Sequence, residues 1–318
     1  MATPNISEIA ATTIESRSRI IADNVSRNNA LLFQLMEKGK IRPFSGGRLI
    51  YEELSFRENS NFGWYSGYDT LPVAAQEVIT AASFDIKQAA APVTISGLEL
   101  LQNSGKEAVL DLLESKLEVA EATMKNGVAT SIYSDGTGYG GKEINGLDIA
   151  VPQDPTTGTY GGIDRSLWPF WQSKVYDPAA TPTATTIQGY MNTLWAQLVR
   201  GADRPKLIMS GPTIWATYMS SLQAQQRFTD AKMAEAGFEN IKFMSAPVVL
   251  DNITGIVATD MYFLNTDYIN LRPHKDRNFT SAKGARLPIN QDAQVEMIFW
   301  AGNMTCSASF LQGRLKGD

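Results

Sequence analysis

The chain of 318 residues holds one cysteine, Cys306, and one histidine, His274, and these two scarcities exclude more than any motif does. A lone cysteine cannot close an internal disulfide, and one histidine with one cysteine is too few for a typical zinc site. Neither redox chemistry nor transition-metal binding is expected, and no metal or cofactor is assigned. Cations are also scarce: 28 Lys and Arg against 33 Asp and Glu leave a formal net charge of -5. Coating a nucleic acid requires a surplus of cations to neutralise phosphates, so any contact with DNA is expected to be weak and nonspecific. No apolar run approaches the roughly 18 residues of a membrane span. The N-terminus, MATPNISEIAATTIESRSRI, lacks a basic n-region followed by an apolar core, so folding in a reducing cytoplasm without a membrane partner is expected. What is present, 43% hydrophobic and 19% charged residues, suffices to bury a core, and the length allows two domains.

Along the chain, residues 7–38 carry a sparse helical stripe of Ile9, Thr13, Ile20, Ile21, Val25, Leu31, Leu32 and Leu35, ended by Gly39, Arg42-Pro43 and Gly46-Gly47. Two strand-forming segments follow, RLIYEELSF (48–56) and VITAASFDIKQ (78–88), and in the second Val78, Ala82, Phe84 and Ile86 share one side of a period-two alternation. They read as the legs of a hairpin. Its tip is the stretch RENSNFGWYSGYDTLP (57–72), where Phe62, Trp64, Tyr65 and Tyr68 stand among glycine, serine, asparagine and charge. A connection of about twenty residues far exceeds the usual two to five of a hairpin loop, and such loops are functional or disordered. The aromatic content argues against disorder.

After Pro92 and a short strand, residues 106–133 form the strongest helix. Val109, Leu113, Leu117, Ala120, Met124 and Val128 recur at steps of three or four, with Glu107, Asp111, Glu114, Glu118 and Glu121 opposite. At 1.5 Å per residue this spine is about 40 Å long. From about Gly136 to Asp260 two helices, in TTIQGYMNTLWAQLVRG and PTIWATYMSSLQAQQRF, alternate with strands in PKLIMSG and APVVLDN, and KEINGLDIAV (142–151) is strand-like. Alternation of this kind suggests a compact mixed domain. The last portion reads as strands in MYFLNTDYINLR and QVEMIFWAGNMTCSASFLQG, joined by a basic turn, RPHKDRNF. No fixed-period repeat is visible, which disfavours a solenoid.

Chemistry-bearing motifs are few. DGTGYGG (135–141) contains a formal G-x-G-x-x-G in Gly136, Gly138 and Gly141, but a dinucleotide turn needs a strand before it and a helix after it, and here a long helix precedes it. It reads as a loop. His274 is the sole unperturbed general-base candidate, no serine sits in a G-x-S-x-G elbow, and a surface or interface histidine is the simpler reading. Glu52 and Glu53 point to opposite faces of a strand and read as solvated. GTYGGIDRS (158–166) followed by WPFW is the most specific-looking block: Gly161 and Gly162 permit a tight turn, Asp164 and Arg165 pair or cap locally, and Trp168 and Trp171 are apolar anchors. A ligand site is one reading; a structural corner held by a charge–backbone network is the favoured one.

The order of these parts, ending in LNTDYINLRPHKDRNF and WAGNMTCSASFLQGRL, resembles the major capsid proteins of tailed double-stranded DNA phages, the Hong Kong 97 fold. The resemblance covers nearly the whole chain. It implies a mixed α+β subunit with an N-terminal arm (1–45), an extended hairpin or E-loop (46–95), a peripheral domain (96–136 and 261–318) carrying the spine helix and long strands, and an axial domain (137–260). It further implies a non-enzymatic subunit that assembles into hexamers and pentamers of an icosahedral or prolate shell around DNA, formed in the host bacterial cytoplasm and resident in the virion. Arg57, Phe62, Trp64, Tyr65 and Tyr68 would then contact a neighbouring copy, with a portal and a decoration protein as further partners. The arm leaves no room for a fused scaffolding segment before the spine helix, so a separate scaffolding protein is expected. The founding member cross-links its shell through an E-loop lysine, yet no lysine occurs between Arg48 and Ile86, and Lys87 stands only at the loop's base. A shell without covalent links is expected. An encapsulin-like compartment is the alternative, and a hydrolase using His274 a distant third.

Overall fold

The computed structural model describes residues 29–98, 106–222, 231–235, 237–238, 240–251, 255–281 and 293–317. In chain order the elements are α1 (Ala30–Glu37), β1 (Leu49–Ser55), β2 (Ile79–Asp85), β3 (Lys87–Ser96), α2 (Lys106–Ser131), β4 (Thr159–Tyr160), β5 (Ile163–Asp164), β6 (Lys174–Tyr176) and α3 (Ile187–Leu198). There follow β7 (Leu207–Ser210), α4 (Pro212–Ser221), β8 (Asn240–Phe243), β9 (Ala246–Leu250), β10 (Met261–Leu264), β11 (Ile269–Ser281), β12 (Ala293–Cys306) and β13 (Gly313–Leu315).

Asn29 starts α1 because its side-chain oxygen accepts from the amides of Leu31 (2.9 Å) and Leu32 (3.4 Å), two of the donors a helix start leaves unpaired. Its amide nitrogen donates to Asp251 (2.9 Å), and the Tyr133 hydroxyl donates to the same carboxylate (2.5 Å). One buried carboxylate thus joins the helix start, the end of α2 and the end of β9. Burial, followed by the charge of Asp251, pushes the Tyr133 hydroxyl well above its ordinary range. Leu31, Leu32 and Leu35 are fully buried, while the stripe read before Asn29 lies outside the described residues.

The six-stranded sheet, in the order β6-β13-β10-β7-β9-β8, divides the interior. Period-two alternation sends Leu207, Met209, Val249, Tyr262 and Leu264 to one core and Ile208, Val248, Met261 and Phe263 to the other. The second core is closed by α3 and α4 through Met191, Leu194, Trp195, Ile214 and Tyr218. Cover on both faces explains why β7 and β10 are near-continuous apolar runs rather than alternating ones. A three-stranded sheet, β11-β12-β3, packs its edge strand on α2, where Leu117, Ala120, Met124 and Val128 are buried against the side carrying Ala91, Val93 and Ile95. The side chains of Val109 and Leu113 lie outside the described residues. Among the described residues no helix is long and apolar enough to cross a membrane.

Five local expectations change. β3 runs through Pro92 instead of starting after it, at a sheet edge where a missing N–H is tolerated. KEINGLDIAV forms a helical turn, Leu147–Ala150, because Leu147 N donates to Ile132 O (2.6 Å) and a Cβ on Gly146 would meet the Ser134 amide at 2.5 Å, which folds the chain back on the end of α2. MYFLNTDYINLR is broken by a turn in which Tyr268 N donates to Asn265 O (3.2 Å). RPHKDRNF is no turn: it lies inside β11, whose register against β12 shifts between Pro273 and Thr280. The SASFLQG end leaves the strand for a short 3-10 helix, Ser309–Leu311.

The clamp that ties these parts together is Arg314. It has no exposed side-chain surface, donates from Nε to Asp260 (2.7 Å) and from Nη1 to Asp148, and lies 4.9 Å over the Tyr262 ring. Removing it strands the buried Asp260 carboxylate, and breaking one side of such a pair costs about 3–5 kcal/mol. Urea unfolding should show that loss for Arg314→Met and partial recovery for Arg314→Met/Asp260→Asn. Wild-type stability of the single variant would contradict the clamp.

Candidate functional site: an exposed aromatic loop on a fixed root

β1 and β2 pair antiparallel from Leu49↔Asp85 to Ser55↔Ile79. Ile50, Leu54, Ala82 and Phe84 are buried, on the side shared with Glu52, while Glu53 is exposed. The two carboxylates do face opposite ways, but Glu52 is not solvated. It accepts from Arg272 Nη1 (2.9 Å) and Thr305 Oγ1 (2.9 Å), which fastens the ribbon to β11 and β12. Asn303 adds a second tie, donating to Asp85 O (2.8 Å) and accepting from Asn145 N (2.8 Å).

The block 158–171 meets the ribbon at the free edge of β2 and on the same buried side. Gly161 (φ +57°) and Gly162 (φ +76°) form the turn between β4 and β5, and Gly161 O accepts from Ser83 N (2.8 Å). A Cβ on Gly161 would stand 2.9 Å from Ala82 Cβ and 3.0 Å from Phe84 Cζ, so the turn touches β2 because these residues are glycine. Asp164 and Arg165 do not pair with each other. Asp164 accepts from Ser166 N (2.8 Å) and Oγ (2.7 Å), and those hydrogen bonds hold its carboxyl below the usual range. Arg165 is buried, donates to the carbonyls of Ile149 (2.6 Å) and Ala150 (3.1 Å), and lies 5.1 Å over the Tyr160 ring.

Aromatic contacts complete the root. Trp171 donates from Nε1 to Tyr160 O (2.9 Å) and stacks on its ring at 5.8 Å. Tyr160 meets Phe84 at 5.2 Å, and Phe56, where the loop departs, meets Trp168 and Phe170 each at 5.8 Å. Burial pushes the Tyr160 hydroxyl well above its ordinary range and pulls the Arg165 guanidinium down. Sequence reasoning singled out Gly161, Gly162 and the tryptophans but missed their counterparts Phe56 and Phe84, which lie about 80–115 residues away in sequence.

Beyond Phe56 the loop changes character. Asn61 donates to Ala74 O (2.6 Å), Ser60 to Gln76 Oε1 (2.8 Å), and Ser66 N to Asp69 (2.8 Å), so polar bonds hold the two legs together. The aromatics turn outward: Trp64 is 96% exposed, Phe62 79%, Tyr65 66% and Tyr68 108%. Phe62 and Trp64 meet edge to face at 6.1 Å, and Arg57 lies 5.5 Å over Phe56 at the loop's start. This surface carries no nucleophile and base in register; what it offers is apolar area. His274 lies elsewhere, edge-on to Phe44 at 5.1 Å and accepting at Nδ1 from Asp276 N (3.1 Å). DGTGYGG follows α2 as a loop with Tyr139 and Gly140 in left-handed backbone.

No protein-family model matches the chain, and no curated protein matches it. Solved structures do. The capsid asymmetric unit of cyanophage A-1(L) superposes with a TM-score of 0.68 at 17% identity, covering 88% of this chain and 92% of that one. The chain has the tailed-phage capsid fold. The capsid of a native GTA particle follows at a TM-score of 0.58 and 11% identity, covering 88% of each chain. The holo-SrpI encapsulin complex from Synechococcus elongatus PCC 7942 gives 0.51 at 7% identity, covering 89% of this chain and 86% of that one. Identities this low carry the capsid fold and no residue roles, so the loop has to be argued from its own geometry.

The root geometry separates two glycines. Gly161→Ala should cost about 1–3 kcal/mol, through a left-handed alanine and overpacking against Phe84, and should speed proteolysis between residues 57 and 75. Gly158→Ala, also left-handed (φ +82°) but with open space at its Cβ, should lose stability without loosening the loop. Identical proteolysis of both variants would contradict the docking role of the turn.

Proposed function

We propose that this chain is the major capsid subunit of a tailed double-stranded DNA phage, a non-enzymatic protein that self-assembles into a closed shell through its E-loop, residues 46–95. The observation that carries the proposal is the pairing of a buried root with a tip whose four aromatics face solvent. Such rings bury about 150–250 Å² each. Four would supply roughly 600–1,000 Å², which matches the approximately 800 Å² that one partner contributes to a stable interface. A monomer gains nothing from holding that area outward on a fixed ribbon; a neighbouring copy gains an interface.

In this reading the arm is residues 1–45, the peripheral domain 96–136 with 261–318, and the axial domain 137–260. Capsomers are hexamers and pentamers, formed in the host cytoplasm with a separate scaffolding protein and a portal, with a decoration protein as a further partner. The acidic balance, 33 Asp and Glu against 28 Lys and Arg, favours only weak nonspecific contact with packaged DNA. Negative-stain images of the purified protein test the proposal, which expects closed shells. The likeness to an encapsulin supports a second reading, a protein-filled compartment. The absorbance ratio of purified particles separates the two, since DNA-filled shells absorb strongly at the nucleic-acid maximum.

Combined Phe62→Ser, Trp64→Ser, Tyr65→Ser and Tyr68→Ser should give a soluble subunit with near-wild-type thermal unfolding that forms no closed shells. An insoluble subunit would assign the rings to its own core, and normal shells would make them dispensable.

The shell should also lack covalent links. The loop has no lysine between Arg48 and Ile86, and Cys306 is buried, its thiol pushed up by burial to about 11. Boiled particles should run at the monomer position with or without reductant; ladders surviving both treatments would contradict this.

A further inference from the structure

A basic cluster lies where the end of α1, the residues just before β7 and the turn between β10 and β11 meet, and it borders a pocket whose wall is completed by Ser245 and Pro247, where β8 leads into β9. Three ammonium groups converge on that turn. Lys38 Nζ donates to Thr266 Oγ1 (2.7 Å) and lies 3.8 Å from Asp267 Oδ1. Lys40 Nζ donates to the Asp267 carbonyl (2.8 Å), and Lys206 Nζ donates to the Asp267 carboxylate. One carboxylate therefore answers three cations. The other acids nearby are engaged: Glu37 pairs with Lys232 (3.6 Å), and Asp203 accepts from the Tyr268 hydroxyl (3.1 Å).

The crowding of charge is felt by the groups themselves. Burial pulls the Lys38 ammonium down, Asp267 opposes this, and Lys206 and Lys40 push it further down. Burial works upward on the Asp267 carboxyl, yet the hydrogen bond and charge of Lys206, with Lys38 and Lys40, hold it below the usual carboxylate range. Beside this cluster opens a cavity of about 320 Å³, lined by Lys38, Arg204 and Lys206 and by Ser245. It is far larger than the roughly 30 Å³ share of one water. Arg204 is exposed and holds no ion pair among the described residues.

We propose that this pocket binds a phosphate-class oxyanion, with Lys38, Lys206 and Arg204 as donors. Each ammonium carries three N–H groups and spends only part of them on Thr266 and Asp267, and the guanidinium brings a planar fork of five. Charge-assisted hydrogen bonds of this type are the strong ones, and an anion here offsets the excess positive charge that one aspartate leaves. Net acidity of the whole chain does not forbid such a site, because the cluster is local and the screening length is only about 8 Å at physiological salt.

Titration calorimetry of the purified full chain with inorganic phosphate at low ionic strength should give a saturable one-site isotherm. Arg204→Ala should weaken it about tenfold, the worth of one hydrogen bond to a charged group, and Lys38→Met/Arg204→Ala should abolish it. Thermal unfolding of the same proteins monitors folding, and phosphate should raise the wild-type Tm, since a ligand held only by the native state stabilises it. A short DNA duplex separates the sources. Duplex that competes with phosphate supports the site and assigns it to nucleic-acid backbone; phosphate binding undisturbed by duplex supports it with free phosphate as the ligand. No saturable isotherm with the wild-type chain, or one unchanged by Arg204→Ala at its exposed position, overturns the proposal.

Discussion

The ribbon β1–β2 is gripped along its length and bare at its end, and the rest of the structure is arranged around that contrast. Glu52 is held by Arg272 and Thr305 on the buried side, and Ser83 donates to Gly161 at the free edge of β2. Phe84 is sealed under Tyr160, which stacks on Trp171. Past Phe56 the legs are joined by polar bonds and touch the body through an exposed ion pair of Glu58 with Arg200 (3.6 Å), while the tip aromatics face solvent. Exposed apolar area on this scale marks an interaction surface in a soluble protein. The rigid root matters because an interface built on a preorganised element loses less conformational freedom on association.

The body that supplies the grip is a sheet with two cores. Polar clamps fix how its pieces meet: Arg314 joins the Leu147–Ala150 turn to β10 and β13, and Asp251 gathers Asn29 and Tyr133. Each clamp joins residues distant in sequence, from 54 apart for Arg314 and Asp260 to 222 for Asn29 and Asp251, and centres on a buried carboxylate, Asp260 or Asp251, whose partner is costly to remove. They therefore specify one arrangement of elements that hydrophobic burial alone would leave degenerate. The short helical turn after Gly146 exists for the same reason, since the backbone there must pass against the end of α2.

Much of the fold was legible in residue pattern, and the reasons are local. Ala82 and Phe84 alternate because one face of the ribbon is buried; Leu117, Ala120, Met124 and Val128 recur at helical spacing because one face of α2 is. The order of parts pointed to the capsid fold. What pattern could not convey was long-range partnership. RPHKDRNF looks like a turn by composition, yet it is strand, because Arg272 finds Glu52 and Arg277 lies 5.2 Å over Phe299. Glu52 looks solvated beside Glu53 until the partners from β11 and β12 are placed. In the candidate site, the exposed aromatics announced themselves by being out of place in a polar loop. The root did not, since Phe56 and Trp168 are distant in sequence and meet only in the fold.

The central claim is that the tip aromatics are bare in the subunit and covered by another copy in the assembly. Oxidative footprinting read by mass spectrometry tests it directly, comparing dissociated subunits with assembled particles. The account predicts that Trp64, Tyr65 and Tyr68 are modified readily in subunits and protected in particles, while Trp171, only 1% exposed, stays protected in both. Equal modification of Trp64 in the two states would contradict it.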